Sequence, residues 1–436
     1  MSDQAIGTVT APPSHEALRR RAILGIGAGN LLEWYDFAVY AALATLLGKL
    51  FFASTDALTG LLATFSIFAV GYLARPLGAL IFGQLADRKG RKATLFVVIT
   101  IMGTATVLIG VIPTYASIGV LAPILLTAAR IAQGISVGGE FSTSTSYLVE
   151  IAPEGRRGLY GSVSYLTANL GFALGLGLVY LLNSALDSAA MDSWGWRVPF
   201  LLSFPLLLVG MYLRTNITET PAFAALLAEG RTVESPLKST LRNQWRPMAR
   251  LLGMGFVFAT STYTVLAFAL SYLLVVQEEP ASVAYPSVLL VTVIGALLVP
   301  VFGALSDHYG RRPILLAGVA GVLVLSFPGF LLMSSGGFAA VTAGQLLLWL
   351  PAALFCGVFP AAFCELFPTR TRTTSVGLPM SVATAIFSGT TPVVATLLIE
   401  WTGSNIAPAG YLVASALIST AFVWTLTESA KRELAD

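Results

Sequence analysis

Residues 83–92 read "GQLADRKGRK", and residues 303–312 read "GALSDHYGRR". The two stretches share the pattern G-x-L-x-D-x-x-G-R-[KR] at an offset of 220 residues. Each lies between two long apolar runs. A second pair supports the offset: "EIAPEGRR" from Glu150 matches "ELFPTRTR" from Glu365, placing Glu150 on Glu365, Pro153 on Pro368 and Arg157 on Arg372. Two independent motifs at nearly one spacing describe a chain built from two similar halves.

Working outward, the composition states what the halves are made of. The 436 residues are 56% hydrophobic and only 11% charged, against about a quarter charged in a soluble domain. That excludes an ordinary soluble protein. Runs long enough to cross a bilayer fall at about 22–48, 58–86, 92–112, 116–147, 158–184 and 196–215. Six more follow at about 249–276, 284–306, 312–334, 338–366, 373–400 and 408–427. The expected fold is an all-α membrane protein with twelve transmembrane helices in two six-helix bundles, related by a pseudo-two-fold axis along the membrane normal. Its expected parts are a tail (1–21), a first bundle (22–215), a polar linker (216–248, carrying Arg231, Lys238, Arg242 and Arg246), a second bundle (249–427) and a tail (428–436).

Alternate loops carry 21 of the 25 Lys and Arg residues. The positive-inside rule therefore puts both termini, the linker and both repeated motifs in the cytoplasm. The net charge of +3 carries no signal for a nucleic-acid partner. Cys356 and Cys364 are eight residues apart in one expected helix, about 12 Å along its axis, too far for a disulfide. No Walker loop, metal-ligand cluster or nucleophile with a base occurs, so neither ATP-driven transport, a metal site nor an enzyme is expected.

In each repeated loop the glycines allow a tight turn while an aspartate and arginines are presented at the cytoplasmic mouth. Such a carboxylate can take the positive end of a neighbouring helix and pair with an arginine. We expect a gate built from Gly83, Asp87, Arg88, Gly90, Arg91, Glu150 and Arg157, with Gly303, Asp307, Gly310, Arg311, Glu365 and Arg372 as its second-half counterparts. His308 and Tyr309 stand where the first copy has Arg88 and Lys89, which predicts a looser second copy.

Taken with "GNLLEWYDFAVY" (29–40), "YLARPLGALIFGQLADRKGRK" (72–92), "ARIAQGISVGGEF" (129–141), "EGRRG" (154–158) and "WGWRVPF" (194–200), the paired loop resembles the signature of the major facilitator superfamily. Within it the chain resembles the metabolite:proton symporters, whose members include permeases for α-ketoglutarate, citrate, shikimate and proline or betaine. The resemblance implies a monomeric proton-driven secondary transporter in the bacterial inner membrane, with a small-molecule substrate, the lipid bilayer around it, and protons as coupling ion in place of any cofactor.

Five charged residues fall well inside the expected helices: Glu33, Asp36, Arg75, Arg130 and Glu140. Each costs about 2.5–3.5 kcal/mol at mid-membrane unless it meets a cavity or a partner. Glu33 and Asp36 are three apart, and Arg130, Gln133 and Glu140 line one stripe, so we expect them to share one wet chamber. Three carboxylates against two guanidiniums leave one negative charge for one proton to balance. Only carboxylates can carry it, because arginine stays charged and the histidines, His15 and His308, lie outside the spans. The candidates are Asp36, Glu33 and Glu140 for the proton, and Arg130 and Arg75, with Gln133 and Tyr35, for the substrate. Permanent pairs, Glu33 with Arg75 or Arg130 with Glu140, are the alternative. The second half offers Tyr263, Gln345, Ser381, Thr384 and Ser388 for hydrogen bonding. The "SVATAIFSGTTP" segment (381–392) resembles the carboxylate permeases, so the expected substrate is a di- or tricarboxylate such as citrate or α-ketoglutarate. A zwitterionic osmolyte, betaine or proline, or another carboxylate such as shikimate, is the alternative.

Overall fold

In a computed structural model, residues 15–52, 57–215, 217–230 and 236–434 are described. The start of the amino tail, Arg231 of the linker and the last two residues lie outside them. Twelve long helices follow in order: α1 (His15–Ala42), α2 (Ala57–Lys89), α3 (Arg91–Val111), α4 (Leu121–Ile151), α5 (Arg157–Ala185), α6 (Arg197–Thr215), α7 (Trp245–Val276), α8 (Ala281–Tyr309), α9 (Arg311–Ser334), α10 (Phe338–Glu365), α11 (Thr369–Thr402) and α12 (Ala407–Trp424). Among the described residues, ten of these meet length and hydropathy limits for a membrane span. The first helix begins at His15, earlier than the apolar run, because the polar "HEALRRR" turn continues the helical pattern outside the bilayer. The linker folds into two short helices, Pro221–Ala228 and Pro236–Asn243.

The packing repeats between the halves. In the first, α1 lies on α5, α2 on α4 and α3 on α6; in the second, α7 lies on α11, α8 on α10 and α9 on α12. The halves meet through α2 with α11 and through α5 with α8, again as matching pairs. Small residues permit this closeness where a hydrophobic driving force between helices is weak. A Cβ on Gly134 would sit 2.0 Å from the Gly71 carbonyl oxygen, and one on Gly138 2.0 Å from that of Arg75. The α4 glycines therefore seat α2. Exposed aromatic side chains mark both membrane boundaries, Tyr212, Trp245, Tyr309 and Trp424 at the end carrying the linker, Trp194 and Trp401 at the other.

Candidate functional site

A chamber lies between the halves, walled by Glu33 and Trp34 of α1, Arg75 of α2, Phe141 and Ser142 of α4, Tyr165 of α5, Phe258, Thr262 and Tyr263 of α7, and Met380, Ser381 and Thr384 of α11. It holds about 40 Å³, space for a few waters. Two of its helices depart from α geometry beside it: α7 turns π-helical at Thr264–Phe268 and α11 at Thr384–Ser388. Such single π turns let a helix re-aim its side chains.

Arg75 is the pivotal group. Its helix runs from Ala57 to Lys89, so Arg75 sits near the middle of that helix. The guanidinium lies over Tyr72 at 3.9 Å and Phe37 at 4.8 Å, and its Nε and Nη2 are buried with no hydrogen-bond partner. A buried unpaired donor is expensive unless something arrives to meet it. Glu33 lines the same chamber and interacts with Arg75 through its charge, yet forms no ion pair within 4.0 Å among the described residues.

The other buried charges are paired, and away from the chamber. Asp36 accepts from Arg130 Nη1 at 2.7 Å, Arg130 also donates to Gln133 Oε1 at 2.6 Å, and Gln133 reaches Thr106 Oγ1 at 2.8 Å. The Arg130 guanidinium stacks 3.6 Å from the Tyr40 ring. Glu140 does not pair with Arg130; it pairs with Arg214 of α6, whose Nη1 donates to Oε2 at 3.1 Å and whose Nη2 meets Oε1. Arg214 Nε also reaches the Gly25 carbonyl at 3.2 Å.

This corrects the single wet chamber read from the sequence. Three residues rotate a helix by about 300°, leaving Glu33 and Asp36 roughly 60° apart. That is enough to send one carboxylate between the halves and the other into the first bundle. It also corrects the charge count, because Arg214 raises the guanidiniums to three and balances the three carboxylates. Among the substrate candidates, Arg75, Tyr263, Ser381 and Thr384 line the chamber. Arg130 and Gln133 do not. Tyr35 donates to the Pro199 carbonyl at 2.6 Å, Gln345 donates to Ser287 Oγ at 3.0 Å, and Ser388 is buried outside the lining.

At the linker end the two repeated loops close the molecule. Asp87 accepts from Thr373 N (3.2 Å), Thr374 N (2.8 Å) and Thr374 Oγ1 (2.7 Å) at the start of α11. Asp307 accepts from Gly158 N (2.7 Å) and Leu159 N (2.9 Å) at the start of α5. Each aspartate thus caps a helix of the opposite half, where unpaired N–H groups carry partial positive charge. Gly90 and Gly310 turn with φ of 109° and 102°, a region that suits glycine. Gly83 abuts Thr374, and Gly303 abuts Gly158. Arg91 bridges Asp87 and Glu150, and Arg311 bridges Asp307 and Glu365. Arg372 crosses to Glu150 at 2.9 Å, and Arg157 approaches Glu365 at 3.8 Å. Arg88 is exposed.

Four further residues complete these clusters. Glu219 accepts from Lys92 N and Thr220 Oγ1 donates to Glu150 (2.6 Å); Glu428 accepts from Arg311 N and Arg312 N and Ser429 Oγ donates to Glu365 (2.6 Å). Their signal was in the sequence: Thr-Glu-Thr at 218–220 and Thr-Glu-Ser at 427–429 follow the sixth and twelfth spans. Arg214 had no such signal. It sits in the last turn before the polar linker and reads as a linker charge.

Matching halves of six apolar helices around a charged, aromatic-walled chamber define a membrane transporter rather than an enzyme. The model of the family described as sugar (and other) transporters matches residues 22–245, and the chain belongs to that family, within the major facilitator superfamily. It is 37% identical to an ectoine/proline transporter of Corynebacterium glutamicum over 434 residues, 95% of this chain and 85% of that one. It is 33% identical to a citrate-proton symporter of Klebsiella pneumoniae over 398 residues, 91% and 89% of the two chains. The fold is similar to that of the proton:xylose symporter XylE, with a TM-score of 0.76 at 16% identity over 97% and 98% of the chains.

Proposed function

We propose that the chain is a proton symporter for a small zwitterion with one carboxylate and one cationic nitrogen, of the betaine, proline or ectoine type. The observation that carries this is Arg75, the chamber's guanidinium, with two unmet donors beside an unpaired Glu33. With Glu33 ionised, the charges of the two groups cancel. A proton on Glu33 leaves Arg75 uncompensated, so the chamber then attracts one carboxylate, and bound substrate in turn holds the proton in place. Each ligand favours the other, which is the reciprocity that coupling requires. The faces of Trp34, Tyr165, Phe258 and Tyr263 suit the cationic end.

We place the gate in the repeated loops, on the cytoplasmic side by the positive-inside rule, and read it as shut in this state; rocking one half against the other alternates access. A di- or tricarboxylate is the second reading. Thr262, Ser381 and Thr384 offer hydroxyls opposite Arg75, and one relative is a citrate-proton symporter. It ranks second here because Arg130 and Arg214 are held by Asp36 and Glu140, leaving one guanidinium for two or three negative charges.

Vesicles reconstituted with the protein and given an inward proton gradient test this. Labelled betaine, proline or ectoine should accumulate, Arg75→Lys should cut uptake at least about tenfold because a bidentate site is not met by an ammonium, and Glu33→Gln should exchange substrate without concentrating it. Accumulation of citrate with no response to the zwitterions would install the second reading.

A further inference from the structure

We propose that Glu140 and Arg214 form a second proton station, through which the proton leaves Glu33 for the linker-end solution inside the first bundle, apart from the substrate passage. This rests on Glu33 as the proton site.

Three observations carry it. Glu33 and Glu140 line one crevice, together with Gly29, Ser136 and Met102, too narrow for water in this closed state. Arg214 fills the space one helical turn from Glu33: a Cβ on Gly29 would stand 1.7 Å from its Nη2 and 2.9 Å from Glu140 Oε1. Gly29 and Glu33 are four apart, hence on one face of α1. Finally, Arg214, its side chain fully buried, borders a groove of about 630 Å³ at the linker end, lined by Lys89, Lys92, Thr215 and Glu219 and by the apolar Ala93, Phe96 and Val97. Chamber, crevice, ion pair and outer groove therefore follow one another through α1, α3, α4 and α6, while the substrate gate lies between α2 and α11 and between α5 and α8.

The step balances in atoms and charge. The Glu33 O–H breaks, its proton passes through a water admitted when the crevice widens, and an O–H forms on Glu140. The negative charge moves to Glu33, and Arg214, still protonated, turns from Glu140 toward it. Glu140 then releases the proton to water in the groove and regains Arg214. Ser144 Oγ, which donates to Glu140 Oε1 at 3.0 Å, holds the carboxylate in place meanwhile.

The test compares net proton-driven uptake, read with labelled substrate and a luminal pH dye, against substrate exchange at equal pH, in which the proton need not be released. For Glu140→Gln the ratio of net uptake to exchange should fall at least about tenfold, with luminal acidification falling in step, and Glu140→Asp should restore it. Because Glu140→Gln strands Arg214, the double variant E140Q/R214Q is measured alongside and should show the same fallen ratio. An unchanged ratio in both overturns the route, as does a loss of exchange equal to the loss of net uptake in the folded double variant. Glu33→Gln is run in parallel: if it concentrates substrate, the premise about Glu33 fails, whereas its failure to do so beside a normal E140Q ratio removes the second station alone.

Discussion

The two loop clusters at the linker end come from one repeated motif and are not equally built. Around Asp87 the three charged partners Arg91, Glu150 and Arg372 have fully buried side chains, Asp87 accepts three hydrogen bonds from α11, and Arg372 crosses to Glu150 at 2.9 Å. Around Asp307 two such bonds reach α5, the side chains of Asp307 and Arg157 are 8% and 14% exposed, and Arg157 stands 3.8 Å from Glu365. Wetter pairs are weaker because solvent screens them. The Glu428 and Ser429 segment straps onto α9 and Glu365 as Glu219 and Thr220 do in the first cluster, and the second cluster adds one contact across the halves, Arg157 Nη1 donating to the Arg432 carbonyl at 2.6 Å. One contact between halves is thus held by fully buried charge, and its twin by more exposed charge with a link to the terminal segment. We expect the Asp307 side to yield first when the halves rock apart.

The largest break in this comparison comes from removing the hub carboxylates. Glu150→Ala removes the buried carboxylate that Arg91 and Arg372 share, leaves Arg91 with Asp87, and should cost about 3–5 kcal/mol because both guanidiniums stay in a dry site. Glu365→Ala leaves Arg311 with Asp307 and should cost about 1–3 kcal/mol. Thermal unfolding in detergent, followed by a thiol-reactive dye at the buried Cys356 and Cys364, measures both. Equal losses would mean that the clusters are energetically equivalent.

A smaller effect sharpens the comparison on the gate itself. Asp87→Asn removes charge from three hydrogen bonds across the halves and Asp307→Asn from two, so each should shift the closed state toward open by about 1–3 kcal/mol, the former more. Distances between spin labels at the exposed positions Arg88 and Arg370 report the open fraction. A greater opening in Asp307→Asn would reverse the order.

The smallest effect concerns the strap. Burial raises the proton affinity of Glu428, but the N–H groups of Ala430, Arg311, Arg312 and Ser429 outweigh it and hold the carboxyl below its ordinary value of 4.5. A depressed folded value stabilises above the unfolded one and is lost as pH falls through it. The stability difference between wild type and Glu428→Gln should therefore be full above about pH 5 and vanish as the medium is acidified below 4.5. A difference constant with pH would mean that Glu428 acts by packing alone.

Much of this was legible in the chain. Apolar runs, the Lys and Arg bias and the repeated loops determined helix number and internal symmetry, since each is a property of contiguous residues and bilayer thickness. Gly83, Gly303, Asp87 and Asp307 carried their geometry in the motif, because a turn and a helix cap are local chemistry. The pairing of buried charges was decided by tertiary structure alone. Arg130 finds Asp36 94 residues away and Arg214 finds Glu140 74 residues away, distances over which no periodicity reports rotation. A helix turns about 100° per residue, so small differences in how α1, α4 and α6 are set about their axes choose which carboxylate is neutralised. They left Glu33 and Arg75 facing the space between the halves.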